Sequence, residues 1–251
     1  MTFQMWNWFH WVFIASPFIF TGILYYFTRK QGLVKNRKVG LWLSILAVFI
    51  LFLRNAEIFV KNGFVINAEM IPFQICHFAN FVLLFAFWKN NKVLFALAFC
   101  LNLPAALLSI FFANSLVNYT TLISFRAQAY LWGHMLIVGI TLWSFLVGFI
   151  KIKLETFLKT IVLMIVLYIL GLLISNIINA LFGFTSNYFY ALAPEHGTPL
   201  ELFYTWGETY HLGWFEINPI YLLATMGMGA VVVGLFYGMY LFTEPKLFKK
   251  H

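Results

Sequence analysis

The stretch Ile71-Pro-Phe-Gln-Ile-Cys-His-Phe-Ala-Asn80 opens an apolar run that continues to Trp88. It sets a cysteine (Cys76), a histidine (His77), a glutamine (Gln74) and an asparagine (Asn80) inside a segment apolar enough to lie in lipid. Polar and ionisable side chains in a membrane span are costly, and they face a protein interior or a wet cavity. The stretch therefore reads as a membrane span whose first residues form a candidate site.

Runs of the same kind fill the rest of the chain. Of its 251 residues, 63% are hydrophobic and 10% are charged, and the mean hydropathy is +0.87. A soluble domain carries about 25% charged residues, so a soluble fold could not cover its surface with this composition. Apolar runs of about 20 residues between short polar breaks predict an all-α, polytopic membrane protein with seven transmembrane helices. The spans are expected at 11–27, 39–60, 71–88, 93–113, 129–150, 157–182 and 219–242. Residues 1–251 then form a single seven-span membrane domain, since no polar segment is long enough to build a core of its own.

Thirteen of the sixteen Lys and Arg residues fall after spans one, three and five or around the C-terminus. Arg54, Lys61 and Arg126 fall on the opposite side. The positive-inside rule then puts the N-terminus outside and the C-terminus in the cytoplasm. The net charge of +8 is read as topology and contact with anionic headgroups, not nucleic-acid binding. The N-terminus has no basic region followed by a cleavage site, so the first apolar run is expected to be retained as a span. The expected location is the cell membrane, as a multi-pass protein. Cys76 and Cys100 both lie in apolar runs, so a disulfide framework is not expected. In the last span the Gly234–Gly238 spacing allows close helix packing, including an oligomer contact.

Helix rise of about 1.5 Å per residue sorts the polar residues by depth. Cys76 lies five residues after Ile71, and His134 five after Ala129. Arg54 and Glu57 lie six and three residues before Val60. All four are thus expected roughly 5–10 Å below the outer boundary. Asn187 and Tyr188 begin the outer loop after span six. For each residue there is a plainer role. A lone cysteine in an apolar helix is usually inert packing, as Cys100 is expected to be. A lone intramembrane histidine is often a hydrogen-bonding strut. Arg54 and Glu57 have the i, i+3 spacing of a simple ion pair. Glu208 and His211 share that spacing but read as a solvated loop face, so no metal and no cofactor is expected.

Taken together, the residues suggest nucleophilic chemistry on a lipid ester. A thiol attacks as thiolate, and a neighbouring histidine can take its proton. Cys76 would form a thioester while His134 acts as general base and then protonates the leaving group. Arg54, oriented by Glu57, suits a phosphate. Gln74, His77, Asn187 and Tyr188 would donate to the oxyanion or the headgroup. The expected partners are membrane lipids, an acyl donor and a lysolipid acceptor. The alternative is a multi-span transporter or small-molecule binding membrane protein, whose substrate site the same polar residues would line. A non-catalytic subunit of a membrane complex is a third reading.

Three strings carry a family resemblance. They are Ile-Pro-Phe-Gln-Ile-Cys (71–76), Trp-Gly-His-Met-Leu-Ile-Val (132–138) and Ser-Asn-Tyr-Phe-Tyr (186–190). The chain resembles the YwaF-type bacterial integral membrane family over roughly Arg54 to Trp214. That family is related to animal transmembrane acyltransferases that remodel ether lysophospholipids, in which a cysteine and a histidine are catalytic. By motif, the resemblance implies Cys76 and His134 in those roles, with Gln74 where the family usually has a histidine and His77 where an acid is common.

Overall fold

A segment surrounded by hydrocarbon must satisfy its backbone N–H and C=O groups internally, which leaves the helix as the unit of this chain. The computed structural model describes residues 3–117, 119, 121–195 and 198–248. Lys249 and Lys250 of the basic tail lie outside the described residues. The α-helices are α1 (Trp8–Thr28), α2 (Leu33–Lys61), α3 (Ile75–Lys89), α4 (Lys92–Leu97), α5 (Leu103–Phe111), α6 (Asn114–Val117), α7 (Phe125–Leu146), α8 (Leu154–Phe182), α9 (Leu200–Tyr204) and α10 (Pro219–Phe248). A short antiparallel hairpin pairs β1 (Tyr210–Leu212) with β2 (Phe215–Ile217).

Among the described residues, seven helical segments are long and apolar enough to cross a membrane. They are Trp8–Thr28, Leu33–Lys61, Ala68–Lys89, Lys92–Phe111, Phe125–Leu146, Leu154–Phe182 and Pro219–Glu244. The protein is an all-α polytopic membrane protein. The span made of α4 and α5 is the most buried at 67%, and α7 follows at 61%, so these two form the centre of the bundle. The ends are called outer and cytoplasmic here after the asymmetry of the basic residues.

Three departures from the expected spans have local causes. Helix α2 begins at Leu33, so Lys35, Arg37 and Lys38 lie within its first turns rather than in a loop. The Arg37 guanidinium donates to the carbonyls of Phe87, at 2.7 Å, and of Trp88, completing the C-terminus of α3. The third span enters the bundle without a helix. A 3₁₀ turn at Ala68–Met70 precedes residues 71–74, and α3 starts only at Ile75. Pro72 explains this, because proline lacks an N–H and restricts the residue before it. The fourth span passes from α4 through a π-helical turn, Ala98–Asn102, into α5. Pro104 follows directly on the π turn, whose wider winding takes up the break that a residue without an N–H makes in the helical ladder.

The outer end of α8 is capped by its own connecting loop. Asn176 accepts from the Glu216 N–H at 2.6 Å and donates to the Glu216 carbonyl at 2.9 Å. Asn179 holds Ser186 through the serine N–H, hydroxyl and carbonyl. Beyond Ser186 the chain turns at Phe189 and Tyr190, both with positive φ (56° and 55°). Bulky residues adopt that conformation only when packing imposes it. The Phe189 ring is buried against Phe73, Phe78 and Tyr168. Gly171 lets the turn seat on α8, since a Cβ there would lie 2.9 Å from the Tyr188 carbonyl oxygen.

The Asn176 pairing yields a prediction. Asn176→Ala leaves two Glu216 backbone groups without partners, and the variant should lose about 1–3 kcal/mol. Thermal unfolding in detergent, compared with the wild type, measures this.

Candidate active site

Helices α2, α3 and α7 pack against one another and gather the polar residues at the outer end. Cys76 is the second residue of α3 and is half-buried. Gln74 is the N-cap of α3, but its side chain makes no capping hydrogen bond. The first N–H groups of a helix have no intrahelical acceptor, and the helix dipole concentrates positive charge there. The N–H groups of Cys76 and His77 lie within reach of the Cys76 sulfur. An oxyanion formed beside these N–H groups would find donors there.

His134 lies on α7 and is buried. Its Nδ1 is 2.8 Å from the Tyr130 carbonyl oxygen, one turn earlier. A carbonyl only accepts, so Nδ1 carries the proton and Nε2 presents a lone pair. That Nε2 is buried and has no hydrogen-bond partner in the protein. Tyr130 is itself fixed, because its hydroxyl donates to the Ser109 carbonyl at 2.7 Å and its ring lies 4.3 Å from the His134 ring. His77 is half-buried, with an unpartnered Nδ1. It lies within electrostatic range of both Arg54 and His134. The neighbourhood of Cys76 thus includes Arg54, Tyr130 and Tyr190, with His134 within range of the adjoining His77.

The charged residues pair differently from the i, i+3 expectation. Arg54 is buried and donates to the Glu69 carbonyl at 2.9 Å, the Glu69 carboxylate at 3.3 Å and the Asn55 amide oxygen at 2.9 Å. Arg126 reaches both Glu69 carboxylate oxygens, at 2.8 and 2.7 Å. Glu57 instead accepts from Lys61 at 2.6 Å and from the Arg126 N–H at 2.8 Å. The reason is the fold of residues 62–74, which returns Glu69 over the end of α2 and offers Arg54 a carboxylate and a carbonyl together. These groups border an outer cavity of about 310 Å³, lined in part by Glu57, Lys61, Asn67, Glu69, Tyr119 and Arg126. Neither Cys76 nor His134 lines it.

Asn187 and Tyr188 are committed to loop structure. Asn187 donates to the Ala193 carbonyl and accepts from the Leu192 N–H. The Tyr188 hydroxyl donates to the Ala68 carbonyl at 2.9 Å, clamping the outer loop onto the entry to α3. Tyr190, which the motif quoted above ends on, lies within electrostatic range of the thiol. Burial, reinforced by the Glu195 carboxylate, pushes the Tyr190 phenol well above its usual range, so it stays a donor at neutral pH. His211 lies across the hairpin from Glu216, with Nδ1 4.0 Å from its carboxylate, rather than pairing with Glu208.

Sequence reasoning passed over Glu69, Tyr130 and Tyr190, and placed Arg126 only as a topological marker. Glu69 had one signal, a carboxylate beside Asn67, whose side chain accepts from the Glu69 N–H as a turn cap does.

A family model described as the TMEM164 family matches residues 5–240 of the chain. No curated protein and no solved structure matches it.

The Glu69 bridge separates a buried ion pair from a surface one. Glu69→Ala leaves the buried Arg54 uncompensated and should cost roughly 2–4 kcal/mol. Lys61→Gln breaks a solvated pair and should cost less than about 1 kcal/mol. Unfolding midpoints of the two variants in the same detergent give the comparison.

Proposed function

The chain belongs to the TMEM164 family, and on that premise we propose that it is a membrane-embedded lipid acyltransferase of YwaF-type kinship, acting in the cell membrane. One observation supports this most strongly. A half-buried thiol at the uncapped start of α3 lies in the same packed cluster as a buried histidine whose Nε2 lone pair has no protein partner.

In this reading His134 Nε2 removes the Cys76 thiol proton, and the sulfur attacks the ester carbonyl of a donor glycerolipid. A tetrahedral oxyanion forms, facing the first N–H groups of α3. The ester C–O bond breaks, His134 returns its proton to the departing alkoxide, and a thioester remains on Cys76. The hydroxyl of a lysolipid then gives its proton to His134 and attacks the thioester. The C–S bond breaks, and the thiol regains the proton. Water in place of the lysolipid makes the same sequence a hydrolysis. Arg54, occupied by Glu69, contributes positive field near the thiol instead of gripping phosphate. The phosphate role passes to Arg126 and Lys61, which, unlike Arg54, line the outer cavity and keep donors beyond their pairs with Glu69 and Glu57, since Arg126 Nε has no partner and Lys61 is exposed. Gln74 and His77 remain beside the reacting carbonyl as polarising groups. An oligomer contact through Gly234 and Gly238, which have open space beside them, is part of the same proposal.

The transport reading has less support. Of the three asparagines it would use within the bundle, Asn176 and Asn179 are spent on the outer loop, which leaves Asn102, whose Nδ2 has no partner.

Intact mass of the protein in phospholipid nanodiscs tests the covalent step. Wild type should carry a hydroxylamine-labile acyl adduct, and Cys76→Ala none. His134→Ala should slow lipid turnover by about 10²–10⁴-fold. A Cys76→Ser variant with undiminished turnover would exclude the thioester.

A further inference from the structure

A second cavity lies at the cytoplasmic end, away from the proposed reaction. Its volume is about 340 Å³, and its lining includes Lys92, Lys151, Lys153, Glu155, Thr156 and Lys159. These residues come from separate parts of the chain. Lys92 opens α4, Lys151 and Lys153 lie between α7 and α8, and the others occupy the first turns of α8.

The lining has four ammonium groups against one carboxylate. Glu155 is already paired with Lys159, at 2.6 Å. Among the described residues, Lys92, Lys151 and Lys153 form no ion pair within the 4.0 Å limit of a salt bridge. Basic residues on a cytoplasmic face are ordinary when dispersed in water. Here the fold converges them on one concavity, where like charges repel and an anion is concentrated. Lys153 is also the N-cap of α8, with no side-chain capping bond, so that helix presents its free N–H groups beside the lysines.

The surface next to the cavity indicates the rest of the ligand. Leu154, Leu158 and Val162 follow one face of α8 at i, i+4, i+8 spacing, and they are exposed at 62%, 53% and 61%. A cationic pocket at the head of an apolar stripe fits a phosphate joined to acyl chains. We infer that this cavity binds a phosphate group, in the first instance the headgroup of an anionic phospholipid in the cytoplasmic leaflet. This site is independent of acyl transfer, because it shares no residue with the outer cluster.

The test uses the full chain in detergent and reads the shift in unfolding midpoint on adding phosphatidylglycerol, phosphatidylcholine or inorganic phosphate. Wild type should be stabilised by phosphatidylglycerol and not by phosphatidylcholine. Lys92→Gln/Lys151→Gln/Lys153→Gln should lose that shift. Lys30→Gln/Lys35→Gln/Lys38→Gln, which removes equal charge from exposed positions on the same face, should keep it. All six lysines are exposed, so both variants should fold. Equal stabilisation by inorganic phosphate, also lost in the first variant, would support the pocket but make free phosphate the source. Equal loss in both variants, retention in the first, or no stabilisation by either probe would overturn the inference.

Discussion

Backbone groups that leave a helix inside a membrane must find partners within the protein, because no water is there to receive them. This protein leaves the helix at its outer end in residues 62–74, which lead into the third span, and in 183–190, just past the end of α8. Side chains supply the missing partners. Asn55 donates to the Met70 carbonyl and Arg54 to the Glu69 carbonyl. The Tyr188 hydroxyl serves Ala68, and Asn179 serves Ser186. Polar residues in these spans are therefore first a scaffold for irregular backbone.

That scaffold also positions the candidate site. Because α3 begins late, its uncapped first turn is delivered into the bundle with Cys76 on it. Because Glu69 folds back over α2, the buried Arg54 charge is balanced by a carboxylate. Tyr130 uses its carbonyl to set the His134 tautomer and its hydroxyl to reach Ser109, which ties α5 to α7. Among the described residues, the buried side-chain nitrogens left without a partner are those of His77, His134, Asn102 and Arg126.

Some of this was legible in the chain alone. The seven spans followed from hydropathy and length, and residue counting gave Cys76, His134, Arg54 and Glu57 one expected depth. The counting assumed unbroken helices. Helix α3 actually starts at Ile75 and α7 at Phe125, so Cys76 is one residue into its helix and His134 nine. Residues 71–74 enter the bundle unwound, a detail that Pro72 hinted at, and His77, next to Cys76, comes within electrostatic range of His134. The Arg54–Glu57 spacing suggested a pair on one helix face, and a carboxylate from a different segment took that place.

The sequence by itself determined the medium, the number of spans and the set of residues too polar to sit in lipid without a reason. Those properties are local, since transfer into hydrocarbon depends on each segment's own side chains and length. The tertiary structure decided which polar group answers which. Glu69 with Arg54 and Arg126, Asn176 with Glu216, and the lysines of two loops around one cytoplasmic cavity all join residues remote in sequence. Hydrogen bonds and ion pairs act over a few ångströms, so partners are settled only when packing has fixed where each helix begins and which face it presents.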